Sequence, residues 1–440
     1  METNSLSTDV AIIGGGLAGL SAATYLARGG MDVILFEKST HLGGRAATQE
    51  HAGYAFNHGI HAFYYGSAGT RVLRELGVTY SYKNPRRVQL YQQGHFSSAP
   101  VSTSSILRTD FLSIAEKVEF MGLFTKIMRT KPASVGGQSV REWLDREVRS
   151  PRLHQMLSSF ARTLTYCSNL ELMSAEVFLQ RVILSDVRYI DGGWQSMVQS
   201  LRTRATEAGV HIMSGTRVNE LIQHREQVTG VRLADGRDVA ARAVILATTS
   251  AEALKLLDSE RYASLHQLLA TSQTARVACM DVALSRLPVP QHAIVFDLEQ
   301  PRFLTTQSLF ARVAPEGGAL IHAFKQLDPT QPGDPQQDER DLEAWLDLVQ
   351  PGWRAALVKR IFLPHIEAVS FLPTARGNGL AGRPDVQVSG ASNLYLAGDW
   401  VGNAGYLADA SLASARQAAH LLLQNGLPTQ SPQLAKNGVY

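Results

Sequence analysis

The stretch Val10-Ala-Ile-Ile-Gly-Gly-Gly-Leu-Ala-Gly19 predicts a strand, a tight glycine turn and a helix in direct succession. Val10 to Ile13 is a short apolar run, typical of the central strand of a parallel sheet. Asp32 to Phe36 predicts a second strand, and Glu37 ends it. A Gly-x-Gly-x-x-Gly turn between strand and helix, with an acid closing the next strand, is typical of a dinucleotide-binding fold.

Each residue of this motif has a mechanical role. Gly14 permits the tight turn, and Gly16 lets the backbone approach a pyrophosphate at the helix N-terminus, where free N–H groups favour an anion. Gly19 allows the helix to pack closely on the strand, and Glu37 can accept hydrogen bonds from the ribose hydroxyls of an adenosine. Neighbouring residues are further predicted cofactor contacts: Leu17, Ala18 and Lys38.

Composition excludes several classes of protein. The 440 residues include 42 Lys and Arg against 39 Asp and Glu, a net charge of +3 without a basic block, so no nucleic-acid partner is expected. Two cysteines, Cys167 and Cys279, are too few for a disulfide scaffold or a four-thiolate zinc site, and no metal site is predicted. Glycines interrupt the uncharged run 10–27, which argues against a membrane span. We expect a cytoplasmic protein.

Two later groups of motifs indicate which dinucleotide binds. His41-Leu-Gly43-Gly44-Arg45 follows the acid, and Asn57-His-Gly59-Ile60-His61 comes shortly after. Gly398-Asp399-Trp400 and Gly405-Tyr406-Leu407 lie near the other end of the chain, before a predicted helix. Together with residues of about 190–250, these segments resemble the flavin amine oxidase and phytoene desaturase superfamily.

The resemblance implies noncovalently bound FAD in an α/β, glutathione-reductase-like Rossmann domain with an inserted α+β substrate domain. It implies that Gly43, Gly44 and Arg45 contact the diphosphate and the flavin edge. It also implies contacts of Gly398 and Asp399 with the ribityl chain or phosphate. The other implied contacts are with the flavin ring and the adenine: Gly59, Ile60, His61, Gly405, Tyr406, Leu407 and, for the adenine, Val218.

The predicted domains are discontinuous. The predicted FAD-binding domain combines residues 1–78, 190–258 and 373–425. The predicted substrate domain combines residues 79–189 and 259–372, and residues 426–440 lack periodicity and are predicted to form a tail.

His61 and Tyr406 are the candidate residues of the reacting face. His61 has an unperturbed pKa near 6.5 and could shuttle a proton, but a histidine bonded to the backbone fits the sequence equally well. Tyr406 lies where the resembling amine oxidases place one wall of an aromatic cage. Its ring is expected to pack against substrate, with a purely structural packing role as the alternative.

Three functions are compatible with the resemblance. The first is desaturase-like dehydrogenation of a hydrophobic substrate such as an isoprenoid; a redox-neutral isomerisation is also compatible. The second is oxidation of an amine or amino acid with dioxygen, although that family usually keeps a lysine on a substrate-domain strand and Ala275 to Cys279 contains none. The third is a non-catalytic binding protein of the same fold. The electron acceptor, dioxygen or a quinone, is left open.

An apolar stripe in the predicted substrate domain has two interpretations. Phe111, Ile114, Val118, Met121 and Met128 recur at helical spacing, with basic residues nearby. The stripe is most typical of a helix packed on its own core. It is also compatible with a helix that borders a substrate tunnel or rests on a membrane surface.

Overall fold

The computed structural model describes residues 6–426, so the predicted tail at 426–440 lies outside the described residues except for Gly426. Its first sheet is built around β1 (Ser7–Ile13), which pairs in parallel with β2 (Val33–Glu37) and β13 (Asp238–Leu246). The other strands of this sheet are β10 (His211–Ser214), β11 (Val218–His224), β12 (Gln227–Leu233) and β19 (Leu394–Leu396). The order is β10-β2-β1-β13-β12-β11, and β19 pairs with the end of β13.

The second sheet is mainly antiparallel. Its strands are β7 (Val88–Gln92), β8 (His95–Ser98), β14 (Ala275–Leu284), β15 (Ile294–Asp297), β16 (Arg302–Thr306), β17 (Ala319–Gln326) and β18 (Leu357–Val369). The order is β18-β14-β17-β16-β15-β7-β8. Alternate residues of β14 face two different apolar cores, because Val277 and Cys279 belong to one cluster while Ala278 and Met280 belong to the other.

The described residues also form two small sheets. One pairs β3 (Thr48–His51) with β4 (Tyr54–Asn57). The other has the order β5-β9-β6, from β5 (Phe63–Tyr64), β6 (Tyr82–Lys83) and β9 (Val187–Ile190).

Helices cover the sheets. They are α1 (Leu17–Arg28), α2 (Ala68–Glu75), α3 (Thr103–Arg108), α4 (Ile114–Arg129), α5 (Val140–Glu147), α6 (Pro151–Thr165), α7 (Ala175–Ile183), α8 (Gln195–Glu207), α9 (Ser250–Leu256), α10 (Ala263–Ala270), α11 (Pro335–Val349) and α12 (Ala408–Asn425). The first and last of these, α1 and α12, pack against each other beside the first sheet. No helix within residues 6–426 is long and apolar enough to cross a bilayer.

The architecture confirms the predicted fold class. The predicted strand, glycine turn and helix form β1 and α1, and the first sheet takes its strands from three separate parts of the chain, 7–37, 211–246 and 394–396. The second sheet takes its strands from 88–98 and 275–369. The exact boundaries of the two domains stay predictions.

The apolar stripe at 111–128 requires a correction. The helix α4 forms, but it buries Phe120, Leu123 and Ile127, whereas the predicted stripe residues on it are exposed. The favoured interpretation, in which the stripe packs on the protein's own core, is therefore wrong for four of its members, Ile114, Val118, Met121 and Met128. The sequence could not separate the two faces, because α4 carries apolar residues on both.

Candidate cofactor and substrate site

A cavity of about 540 Å³ lies between the two sheets, at the carboxyl end of β1. This is where sheets of this type bind their ligands. Predicted site residues that line it are Gly14, Gly16, Leu17, Ala18, Glu37, Lys38, Gly43, Gly44, Arg45, Ile60, His61, Val218, Gly398, Asp399, Tyr406 and Leu407. Three predicted residues, Gly19, Gly59 and Gly405, do not line the cavity and lie close to Gly14, Ile366 and Asp409 instead.

The glycine turn is sterically fixed. Gly14 has a φ of +116°, and a Cβ there would lie 2.4 Å from the carbonyl oxygen of Ala247. A Cβ on Gly19 would lie 1.8 Å from the carbonyl oxygen of Gly14. Only glycine therefore fits at both positions, as the motif predicts.

The N-terminus of α1 provides an anion site on the cavity wall. Gly16 precedes the helix without a side-chain cap, and the first turn contains no acid. A Cβ on Gly16 would meet no protein atom closer than 3.8 Å, so it would project into open space beside Gly43. Free N–H groups, the helix dipole and this open cradle fit the diphosphate of a dinucleotide.

The Glu37 carboxylate bonds to the backbone of two loops at the cavity wall, the glycine turn and the loop that follows β2. Its Oε2 accepts a hydrogen bond from the Gly15 N–H at 2.7 Å, and its Oε1 accepts one from the Ser39 N–H at 2.8 Å. Each carboxylate oxygen has further acceptor capacity. The residue can therefore fix the glycine turn and still accept a ribose hydroxyl.

Arg45 and Asp399 join the first and last cofactor motifs. The guanidinium donates to both carboxylate oxygens, at 2.9 and 2.5 Å, although the residues are 354 positions apart. Asp399 is buried and also accepts hydrogen bonds from the backbone and hydroxyl of Ser370. Burial raises the pKa of Asp399, but Arg45 and these hydrogen bonds outweigh burial, so the net pKa lies below the ordinary value.

His61 is bonded to the backbone on both sides of its ring. Nδ1 lies 3.0 Å from the carbonyl oxygen of Gly59, and Nε2 lies 2.9 Å from that of Arg45. Burial lowers the pKa of His61. Its ring packs edge-to-face against Trp194, with 4.9 Å between the ring centroids. A neutral ring donates one N–H to one of these carbonyls. This geometry matches the backbone-bonded alternative of the sequence analysis, while the catalytic role stays a prediction.

Tyr406 is fully buried at the cavity wall. Its hydroxyl donates to the carbonyl oxygen of Thr165 at 2.7 Å, and burial raises its pKa. The hydroxyl is thus committed to the backbone, and the side chain belongs to a buried apolar cluster. The predicted contact of its ring with substrate stays a prediction. Below it, Arg181 donates to the Tyr406 carbonyl at 2.7 Å and pairs with Asp409 at 3.2 Å.

The start of α12 is a second helix N-terminus on this wall. Leu407, Ala408 and Ser411 line the cavity there. Leu407 adopts a φ of +58°, a backbone conformation that is costly for a branched side chain. Such strain in a non-glycine residue is typical of binding sites.

Sequence reasoning missed many of the cavity residues. Those that matter for the chemistry are Tyr64, Tyr166, Trp194, Thr216, Lys255, Val277, Ile366, Glu367 and Ala368. They lie on strands, on loops and, for Lys255, on helix α9. These segments reach the cavity through long-range contacts, such as the pairing of β14 with β18. No local motif marks them, apart from Val277 in the stretch compared with the amine oxidase lysine.

Known proteins resemble the chain in sequence and in fold. A 4,4'-diaponeurosporene oxygenase from Staphylococcus haemolyticus is 24% identical over 278 residues, which make up 54% of this chain and 54% of the length of that protein. An oxidoreductase from Methanosarcina mazei has the same fold, with a TM-score of 0.75 and 18% identity over 94% of this chain and 100% of the other. Cyclohexylamine oxidase from Brevibacterium oxydans superimposes with a TM-score of 0.69 and 18% identity, over 95% and 99% of the two chains.

A profile of one family spans nearly the whole chain. The profile, described as flavin containing amine oxidoreductase, matches residues 17–423. The match confirms the predicted enzyme class, and the FAD prediction agrees with it, since members of this family contain a flavin. The open space at Gly16 and the carboxylate of Glu37, which are predicted to hold the diphosphate and the ribose, fit that cofactor. The chain therefore belongs to the family of flavin-containing amine oxidoreductases.

Proposed function

We propose that the protein is an FAD-dependent dehydrogenase that removes hydride from a C–H bond of a hydrophobic small molecule. Desaturation of an isoprenoid or a related lipid is the reaction class that we favour. The observation that carries this proposal is the cavity wall formed by the second sheet. It presents Val277 from β14 and Ile366 and Ala368 from β18, next to Ile60, and Glu367 of β18 is the charged residue among these neighbours.

The positions of the lysines support this choice over amine oxidation. Among the described residues that line the cavity, the lysines are Lys38 and Lys255. Both pair with Glu252, at 3.3 and 2.8 Å, on the side of the cavity that holds Glu37. Val277 occupies the strand on which the resembling amine oxidases usually keep a lysine.

The chain's own residues bind and orient rather than transfer protons. FAD, when bound, supplies the hydride acceptor. Arg45 places a cation beside the cofactor motifs, and Asp399 holds its side chain in position. Burial lowers the pKa of His61, and Tyr406 forms part of the wall. This arrangement suits a substrate whose reaction depends on a cavity that fits it and excludes water more than on a general base.

Photoreduction without air tests the acceptor. The purified protein is reduced, dioxygen is admitted, and the visible flavin band is followed. A band that stays bleached for many minutes supports a dehydrogenase with a quinone or another acceptor. Return of the band within seconds supports the second candidate, an amine or amino-acid oxidase, to which the family description and the position of Tyr406 also point.

Anaerobic mixing tests the substrate class. Apolar polyenes, beginning with the 4,4'-diaponeurosporene in the relative's name, are compared with primary amines and amino acids. The proposal expects bleaching of the flavin by the polyenes and none by the amines. Bleaching by the amines alone would overturn it.

A further inference from the structure

The helix α4 exposes an apolar face away from the protein core. Ile114, Val118, Met121, Phe124 and Met128 retain between 45% and 82% of their accessible surface. At helical spacing these residues share one side, opposite the buried residues of the same helix. Isolated exposed apolar residues are ordinary, but a continuous apolar face marks an interaction site.

The face extends beyond the helix. Leu107, near the end of α3, is 69% exposed. The Lys117 ammonium donates to the Leu107 carbonyl oxygen at 3.1 Å, which holds the end of α3 beside α4. We call the combined surface of Leu107, Ile114, Val118, Met121, Phe124 and Met128 the α4 face.

Cations lie at both ends of the α4 face. Arg108, Arg129 and Lys131 are exposed at its ends. The acids of α4 point elsewhere: Glu116 accepts a hydrogen bond from the Ser150 hydroxyl at 2.7 Å, and Glu119 accepts one from the Arg149 N–H at 2.6 Å. Asp110, between the two helices, is the nearby acid that stays exposed.

We propose that the α4 face docks on the surface of an anionic lipid bilayer. An apolar face buried at the acyl boundary, with lysines and arginines at headgroup level, is the arrangement of helices that lie in a membrane interface. Each basic residue near an anionic surface adds attraction. The proposal does not depend on the substrate of the flavin site.

Vesicle sedimentation tests the proposal on the flavin-loaded protein. Vesicles of equal parts phosphatidylcholine and phosphatidylglycerol are compared with pure phosphatidylcholine. The double variant Met121→Asp, Met128→Asp places two acids in the α4 face. The matched control, Leu348→Asp, Val358→Asp, places two acids at exposed apolar positions outside it. Flavin content and circular dichroism establish that both variants are folded.

We expect the wild type and the control to bind the anionic vesicles, with weaker binding to phosphatidylcholine and at high salt. The α4-face variant should bind about tenfold more weakly or worse. Failure of the wild type to bind, or equal binding by both variants, would overturn the proposal. The proposal would also fail if the wild type and the control were dimers that bind no vesicles while the α4-face variant was monomeric. The occupant of the α4 face would then be a second copy of the chain.

Discussion

Glu37 supports the cofactor site in two ways at once. Its carboxylate fixes the Gly15 and Ser39 amides and is the predicted acceptor for the ribose. Replacement by alanine should therefore weaken FAD binding by about 1–3 kcal/mol, the cost of unmade hydrogen bonds. The dissociation constant is measured by flavin fluorescence on protein stripped of cofactor. Glu37→Gln, which keeps one acceptor oxygen, is the control and should lose less; an unchanged constant in Glu37→Ala would refute the ribose contact.

Tyr406 can be tested by removal of a single oxygen. Tyr406→Phe keeps the ring at the cavity wall and leaves the Thr165 carbonyl without its donor. We expect full flavin content, turnover within a few-fold of wild type, and a free energy of unfolding lower by about 1 kcal/mol. Flavin absorbance and chemical denaturation measure these quantities. Wholesale loss of flavin would show that the residue acts structurally instead.

Asp399 makes stability depend on pH in the acid range. Its folded pKa is lowered, so its ionised form stabilises the fold above the unfolded value of about 3.9, and this stabilisation is lost as the pH falls through the folded pKa. Asp399→Asn should lower the free energy of unfolding by about 1–3 kcal/mol at neutral pH. Denaturation of the flavin-free proteins should show this gap narrowing below about pH 4. A gap independent of pH would exclude an ionised Asp399–Arg45 pair.

At the scale of the element, two glycines of the turn before α1 are expected to have different roles, Gly16 in FAD binding and Gly19 in the stability of the fold. Gly16→Ala places a methyl group in the open cradle, so FAD affinity should fall while the stability of the flavin-free protein is kept. Gly19→Ala drives a methyl into the Gly14 carbonyl and should cost about 1–3 kcal/mol of stability. Thermal unfolding and FAD titration of both variants check this. If Gly16→Ala and Gly19→Ala changed FAD affinity and stability to the same extent, these separate roles of the two glycines would be refuted.

The same turn shows what sequence can predict. The strand, the glycines and Glu37 are local features, and their spacing alone indicates β1, α1 and the part of the cavity wall that they form. The wall around Val277 and Ile366 depends on the pairing of β14 with β18. The paired residues Val277 and Ile366 are 89 positions apart in the sequence. Burial of one face of α4 rather than the other is likewise decided by what packs against it, which periodicity does not encode.

At the scale of the whole molecule, the cavity joins the two sheets. A ligand that contacts both sheets binds the folded state and not the unfolded chain, so it stabilises the fold by mass action. Free FAD at one hundred times its dissociation constant should add about 2.7 kcal/mol. Calorimetry should show a melting temperature that rises with FAD concentration in the wild type. The rise should be smaller for Glu37→Ala at the same concentration, and equal shifts would place FAD binding elsewhere.

The pairing of Arg45 with Asp399 has a consequence for biosynthesis. The two residues leave the ribosome far apart in time, and β19 and α12 follow nearly all of the remaining described chain. A nascent chain contains the glycine turn early, yet it lacks the Asp399 carboxylate and the N-terminus of α12, which complete the cavity. Flavin is therefore captured only after Asp399 and the start of α12 have been synthesised, and until then the nascent chain must avoid aggregation without help from its cofactor.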